Sequence, residues 1–256
     1  MTRQVIPRAL LASLLGTALA ATACSAPGSG PREKAPAPRA STTSAPATNP
    51  PATKPPALTT AQAQAALITE ADLGEPWAPT QGAATWRDAF LKATATQPDC
   101  GRLLDALYTD ELLGAPARAA VGLDDGWDEA QLRHQVTARP PAELDRALTW
   151  LGALPQKCGR FTATSSRATQ LSVTVDEITL PEVGDARQGL LVTVSEESEG
   201  EWVTLTVLAA AVRVGEDAFT VTTGGLGEVP PEALEAALHL GAQRLAEVRR
   251  QGRVQV

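Results

Sequence analysis

The sequence is poor in the residues from which most reaction chemistries start. Only two histidines, His134 and His239, occur in 256 residues. Neither lies in an HExxH run or beside a cysteine, so histidine-based metal and hydrolase sites are not expected. GxSxG, P-loop and helix-opening GxGxxG signatures are missing too, and no catalytic residue, cofactor or metal is expected. Gly224-Gly225-Leu226-Gly227 is glycine-rich but carries no lysine, and it reads as a turn between a strand and a polar loop. Positive charge is also short. Lysine and arginine number 22 against 29 acids, a net charge of −7. Beyond residue 57 the balance is 16 basic to 28 acidic side chains, a net of −12. Such a body disfavours nucleic acid and anionic head groups as partners and stays soluble.

What is present begins with an address. Apolar residues make up 43% and charged residues 20%, ordinary for a folded protein, so wholesale disorder is excluded. Residues 1–23 have the layout of a secretion signal: Arg3 and Arg8, an apolar stretch from Ala9 to Ala20, and small Ala21-Thr22-Ala23 before Cys24. The apolar stretch falls short of the about 20 residues a membrane span needs. The segment resembles a bacterial lipoprotein signal, a resemblance that implies a diacylglyceryl group on Cys24 and a new N-terminus there. Ala-Thr-Ala also suits the ordinary peptidase that leaves no lipid, so plain secretion is the alternative. Either way the expected location is outside the cytoplasm, with lipidation placing the chain on the outer face of the cell membrane.

Cysteine count agrees with export. The three are Cys24, Cys100 and Cys158. Lipidation of Cys24 leaves Cys100 and Cys158 as a natural pair in an oxidising compartment. Their disulfide would close a loop of about 60 residues, a stabilisation of about 3–4 kcal/mol in the chain-entropy picture. Residues 24–57 are almost entirely Pro, Ala, Ser and Thr and read as a disordered stalk biased to polyproline II. Arginine far outnumbers lysine and alanine is abundant, which points to a high-G+C bacterium.

From residue 58 to about 252 the pattern is that of an α+β domain. A short helix over 61–67 precedes a Thr69-x-x-Asp72 capping box stopped by Gly74. Leu103, Leu104, Leu107 and Tyr108 predict a helix over 101–113, with Asp99 as its cap and Cys100 in its first turn. Residues 117–123 read as a strand; 127–139 is ambiguous, since Leu132, His134 and Val136 alternate like a hairpin return while Asp128-Glu129-Ala130-Gln131 suits a helix, and the return is favoured, with His134 as its inward or rim residue. Pro140-Pro141 opens a helix with Leu144, Ala147, Leu148 and Leu151 as its stripe, ended by Pro155 before Cys158. The period then switches to two. Leu171, Val173 and Val175, then Leu190, Val192 and Val194, then Val203, Leu205, Val207, Ala209 and Ala211, and last 218–223 predict an antiparallel meander with one apolar and one Ser/Thr-rich face. A final helix from Pro230-Pro231 carries Leu234, Ala237, Leu238, Gly241, Leu245 and Val248 on one side. The expected fold is an antiparallel sheet meander backed by helices on one face.

The run Leu58-Thr59-Thr60 with Asp72-Leu73-Gly74, then Cys100, then Cys158-Gly159-Arg160-Phe161, then Val212-Arg213-Val214-Gly215-Glu216-Asp217 resembles the PknH-like extracellular sensor domain of actinobacterial lipoproteins and some receptor kinases. The resemblance covers about 58–250. It implies an antiparallel sheet backed by helices, disulfides, and a cleft for an unknown ligand. Family members often carry two disulfides, whereas this body has cysteines for one. No kinase signature accompanies it, and it transfers no catalytic residue.

Site candidates are therefore binding residues. Trp77, Trp86 and Trp127 lie in or near expected loops and are the candidates for ligand contact, as large amphipathic rings. Trp150 reads as core, and Trp202 as a strand-start residue opposite Val203. Two acidic groups, Asp124-Asp125 with Asp128-Glu129 and Glu196-Glu197 with Glu199 and Glu201, lack EF-hand spacing and read as solvated hairpin tips. The function expected is a ligand-binding or sensor-like envelope lipoprotein without enzymatic activity. Its partners would be the membrane, through the N-terminal lipid, and an unknown small ligand or an envelope protein. The rival readings are an envelope interaction scaffold and, more remotely, an extracellular hydrolase.

Overall fold

A computed structural model describes residues 57–254 other than 83, 128 and 228. The expected secretion signal (1–23), Cys24 and all of the expected stalk (24–57) but Ala57 lie outside the described residues. None of the described helices is long and apolar enough to cross a membrane.

Nine strands form one antiparallel sheet in the order β1-β3-β4-β9-β8-β7-β6-β5-β2. They are β1 (Trp77–Pro79), β2 (Ala93–Thr94), β3 (Ala119–Asp125), β4 (Gln131–Thr137), β5 (Arg160–Ser165), β6 (Gln170–Glu177), β7 (Ala186–Ser198), β8 (Glu201–Val214) and β9 (Asp217–Gly225). The helices are α1 (Thr60–Ala65), α2 (Glu70–Leu73), α3 (Pro98–Tyr108), α4 (Pro141–Cys158) and α5 (Pro231–Val254), with a π-turn over Arg87–Leu91. The α+β class, the meander β6 to β9 and the β3–β4 hairpin all follow the sequence pattern. Strands β1, β2 and β5 were not expected, and β5 is built mainly of small polar residues.

The sheet carries helices on both faces, not on one. The reason lies in β8. Its odd positions Leu205, Val207, Ala209 and Ala211 join a core with Leu103, Leu107, Leu144, Leu151 and Leu154 of α3 and α4. Its even positions Leu208, Ala210 and Val212 join a second core with Leu234, Leu238 and Leu245 of α5. A central strand that is apolar at both parities is buried on both sides, whereas the period-two reading of β8 counts only its odd positions as core. The α3–α4 side is called the first face below and the α5 side the second. On the second face α5 covers β4, β9 and β8 only. Over β5 and β6 that face stays polar, with Thr162, Thr164 and Ser172 exposed and Thr174 bonded to Thr193 at 2.6 Å, while Leu191 of β7 still packs against the second core.

Two helix ends differ from expectation. Helix α3 stops at Tyr108 rather than 113, because Asp110 turns to φ 61° to reach two arginines. Its N-cap is Gln97, and Asp99 instead sits in the first turn. Pro155 lies inside α4, which runs on to Cys158. Leu154 and Cys158 are both buried against α3 and the sheet, and that burial offsets the roughly 3 kcal/mol a mid-helix proline costs.

The two ends of the sheet are unlike. Ala57, where the described chain begins, borders a small hollow with Ala138, Pro140, Pro141, Glu216 and Asp217. At the opposite end lie the β3–β4 and β7–β8 hairpin tips and the end of β9. The three exposed large apolar side chains among the described residues sit there: Trp127 at 75%, Trp202 at 64% and Leu226 at 44% exposure.

Candidate functional site

Between α3 and α4 two helices are clamped at one end and parted at the other. The clamp is a disulfide, Cys100–Cys158, with Cα atoms 5.5 Å apart. Beside it Asp99 accepts from Trp150 Nε1 at 3.0 Å and from Lys157 Nζ at 2.8 Å. These bonds, Lys157 first, hold the Asp99 carboxyl below the usual range. So the helix-to-helix bond and the polar ties that flank it all gather around the first turn of α3.

Where the helices part, a concavity of about 440 Å³ opens. Its lining is Arg102, Leu113, Gly114, Arg139, Glu143, Arg146 and Ala147. Arg139 enters from the end of β4. It donates from Nε to Glu143 Oε2 at 2.9 Å and from Nη1 to the Leu113 carbonyl at 3.0 Å. Arg102 lies flat over the Trp150 ring, 3.8 Å from its centroid. Arg146 is exposed and donates from Nε to the Ala142 carbonyl, one turn back in its own helix, at 3.1 Å.

A second polar group anchors the loops that roof the first face over β3–β4. Arg87, only 7% exposed, donates to the carbonyls of Leu107 and Tyr108 at 2.8 and 2.9 Å. Asp110 joins Arg87 and Arg133, each at 2.7 Å. A largely buried triad whose Arg87 holds two backbone carbonyls positions backbone rather than performing chemistry.

The tryptophans proposed from sequence do not converge. Trp77 is half-buried against the second-face core. Trp86 is buried in the first-face core, close to the Cα side of Gly224, where an added Cβ would lie 3.1 Å from its ring. Only Trp127 presents an open ring, at the β3–β4 tip. Trp150, read as core, is a half-buried platform for Arg102.

The acidic groups also differ from the solvated tips expected. Asp125 is buried and accepts from the Trp127 N–H at 2.8 Å. Asp124 accepts from Thr80 Oγ1 at 2.8 Å and from Gln131 Nε2 at 2.9 Å. Asp124 therefore ties the hairpin to the loop after β1, and Asp125 braces the hairpin tip itself. Glu197, Glu199 and Glu201 do lie exposed about the β7–β8 tip. Among the described residues no group of three or more His, Cys, Asp or Glu converges to hold a metal.

His134 is fully buried on the second face. Its Nδ1 accepts from the Ile68 N–H at 3.3 Å, and its ring meets Phe219 edge-on at 5.3 Å. Burial, helped by the nearby Arg244 charge, pushes its pKa down to about 3. His239 is exposed on α5.

Sequence reasoning missed the arginine-lined concavity. Arg102, Arg139 and Arg146 come from three segments, and nothing in their spacing links them. A faint signal existed in Gly114, whose φ of 75° demands glycine beside the expected end of α3.

No family model matches the chain, and no curated protein matches it. Among solved structures it is similar to the extracellular domain of PknH from Mycobacterium tuberculosis, at 18% sequence identity and a TM-score of 0.46. That match covers 75% of this chain and 98% of the other.

Proposed function

We propose that this protein is exported and held by a lipid on Cys24 at the outer face of the cell membrane, and that its folded domain is a non-catalytic, sensor-like binding module on a stalk. The observation that carries the reading is the Cys100–Cys158 bond. A disulfide joining two surface helices belongs to an oxidising compartment. It also accounts for two of three cysteines and leaves Cys24 alone, directly after a secretion signal.

The placement of the reactive residue types supports binding over turnover. Both body cysteines are committed to the disulfide. His134 is sealed from solvent and its Nδ1 is engaged. Among the hollows open to solvent is the concavity between two clamped helices, a common form of small-ligand site.

Two measurements test this. Fatty-acid labelling should mark the wild-type protein in the membrane fraction, and Cys24→Ala should move it to the medium. Wild-type protein found unlabelled in the medium overturns the anchoring. A saturable rate on an ester, peptide, glycoside or phosphate, abolished by a single substitution of Asp124, Asp125, Glu196 or Glu197, overturns the non-catalytic reading.

One observation favours the rival scaffold reading. Trp127, Trp202 and Leu226 are all exposed at the end of the sheet away from Ala57, and exposed apolar side chains at one end of a domain suit a contact surface. Native mass spectrometry separates the two readings. A specific complex with an envelope protein, lost in W127S/W202S, would favour the scaffold.

A further inference from the structure

We infer that the concavity between α3 and α4 is a binding site for a small oxyanion, a molecule bearing a carboxylate or phosphate group. The inference rests on reading the domain as a binding module and names its site and ligand class.

Three guanidinium groups and one carboxylate border the concavity. That excess of positive charge occurs in a body whose net charge is −12. Glu143 is taken up by Arg139, through Nε at 2.9 Å and through Nη2. Among the described residues neither Arg102 nor Arg146 has a carboxylate within ion-pair distance, and Arg102 acts on the Asp99 carboxylate only at longer range. Two positive side chains are thus left facing a cavity of about 440 Å³, within the range of small-ligand sites.

The guanidinium groups are held in place before any ligand arrives. Arg139 is tied to Glu143 and to the Leu113 carbonyl. Arg102 is stacked at 3.8 Å on Trp150, whose own Nε1 is bonded to Asp99. Stacking on an indole leaves the edge N–H groups of a guanidinium available, and those edges match carboxylate and phosphate oxygens two by two. Fixing such side chains in advance reduces the entropy lost on binding.

Gly114 locates the seat. A Cβ added there would lie 3.4 Å from Arg139 Nη1 and 3.7 Å from Arg102 Nη2. Two guanidinium tips from different elements therefore flank one point that carries no side chain. The φ of 75° makes any replacement strained in addition. Leu113 and Ala147 are buried, and the exposed lining is mainly polar, suited to a small, highly charged anion.

The test is calorimetric titration of the full-length, detergent-solubilised protein with two probes, inorganic phosphate and citrate. Saturable binding of at least one is expected, tighter for phosphate if the ligand class is a phosphate ester and tighter for citrate if it is a carboxylic acid. R102A/R146A alters two exposed side chains and should keep the wild-type Tm. It should weaken the better probe by about tenfold or more, the scale of one charge-assisted pair. R160A, at an exposed arginine of β5 outside the concavity, should bind as wild type does. Absence of saturable binding of both probes, or equal binding in R102A/R146A, overturns the inference. Either result leaves the anchoring reading standing, since that reading is decided by the fate of Cys24→Ala.

Discussion

On the first face of the sheet, α3 and α4 are joined by a covalent bond and by the Asp99 ties to Trp150 and Lys157. On the second face, α5 is joined to its surroundings by Arg244 with Asp72 and Leu67, and by Arg249 with Asp217. Helix α5 is 24 residues long and lays an unbroken stripe over β4, β9 and β8. Helix α3 has 11 residues and lies beside a gap lined with arginines. A long helix with a continuous apolar stripe seals itself by burial. A short helix beside an open concavity buries less, and a covalent link makes up part of the difference. The staple thus lies where the fold leaves room, and the absence of a second disulfide is tolerable because the other layer is closed by packing.

The strongest way to break this contrast is to remove the staple. C100S/C158S should lower unfolding stability by about 4 kcal/mol, from closure of a 58-residue separation. Hydrogen exchange should rise in α3 and α4 well before it rises in α5. Equal loosening of both layers would show that the disulfide serves the whole domain and not the first face. The matching lesion on the second face is Leu238→Ala. Leu238 is fully buried, and its truncation should cost about 3 kcal/mol by denaturant unfolding. Exchange should now rise first in α5.

Acid should also single out the second face. His134 is held neutral with a pKa near 3, against 6.5 when free. Below pH 6.5 the unfolded chain therefore takes up a proton that the folded chain refuses. Stability should be full above about pH 6.5 and decline as pH falls towards 3, on the order of 2 kcal/mol between pH 6.5 and 4.5. In His134→Gln that slope should vanish, whatever the substitution does to absolute stability. The smallest stability effect is expected for Arg102→Ala, within about 0.5 kcal/mol because the side chain is exposed. Its effect should appear in anion titrations instead, which separates the open layer from the sealed one by function.

Much of this was legible in the chain. The strands of β6 to β9, the proline-opened helices, the inward His134 and the Cys100–Cys158 pairing all rest on short-range pattern or simple count. The second helix layer was not. Residues 205–212 of β8 are apolar at every position but Thr206, and a period-two reading sees one face of such a run and misses the other. Tryptophan exposure was misjudged for a similar reason. Trp86 flanks a Gly/Pro/Thr loop by sequence, yet Gly224 on a distant strand makes the space that buries it. The arginine-lined concavity needed three segments brought together by the fold, and local pattern has no access to that.

The opposed placement of Ala57 and the exposed tips has a mechanical meaning. A load entering at Ala57 and leaving through a partner or surface at Trp127 or Trp202 runs along the strands. In an antiparallel sheet the ladder hydrogen bonds stand across that direction. Tension is then shared by many bonds in parallel and acts as shear, rather than peeling them open one after another. A domain gripped at these two ends can carry a pulling force along its length without unzipping.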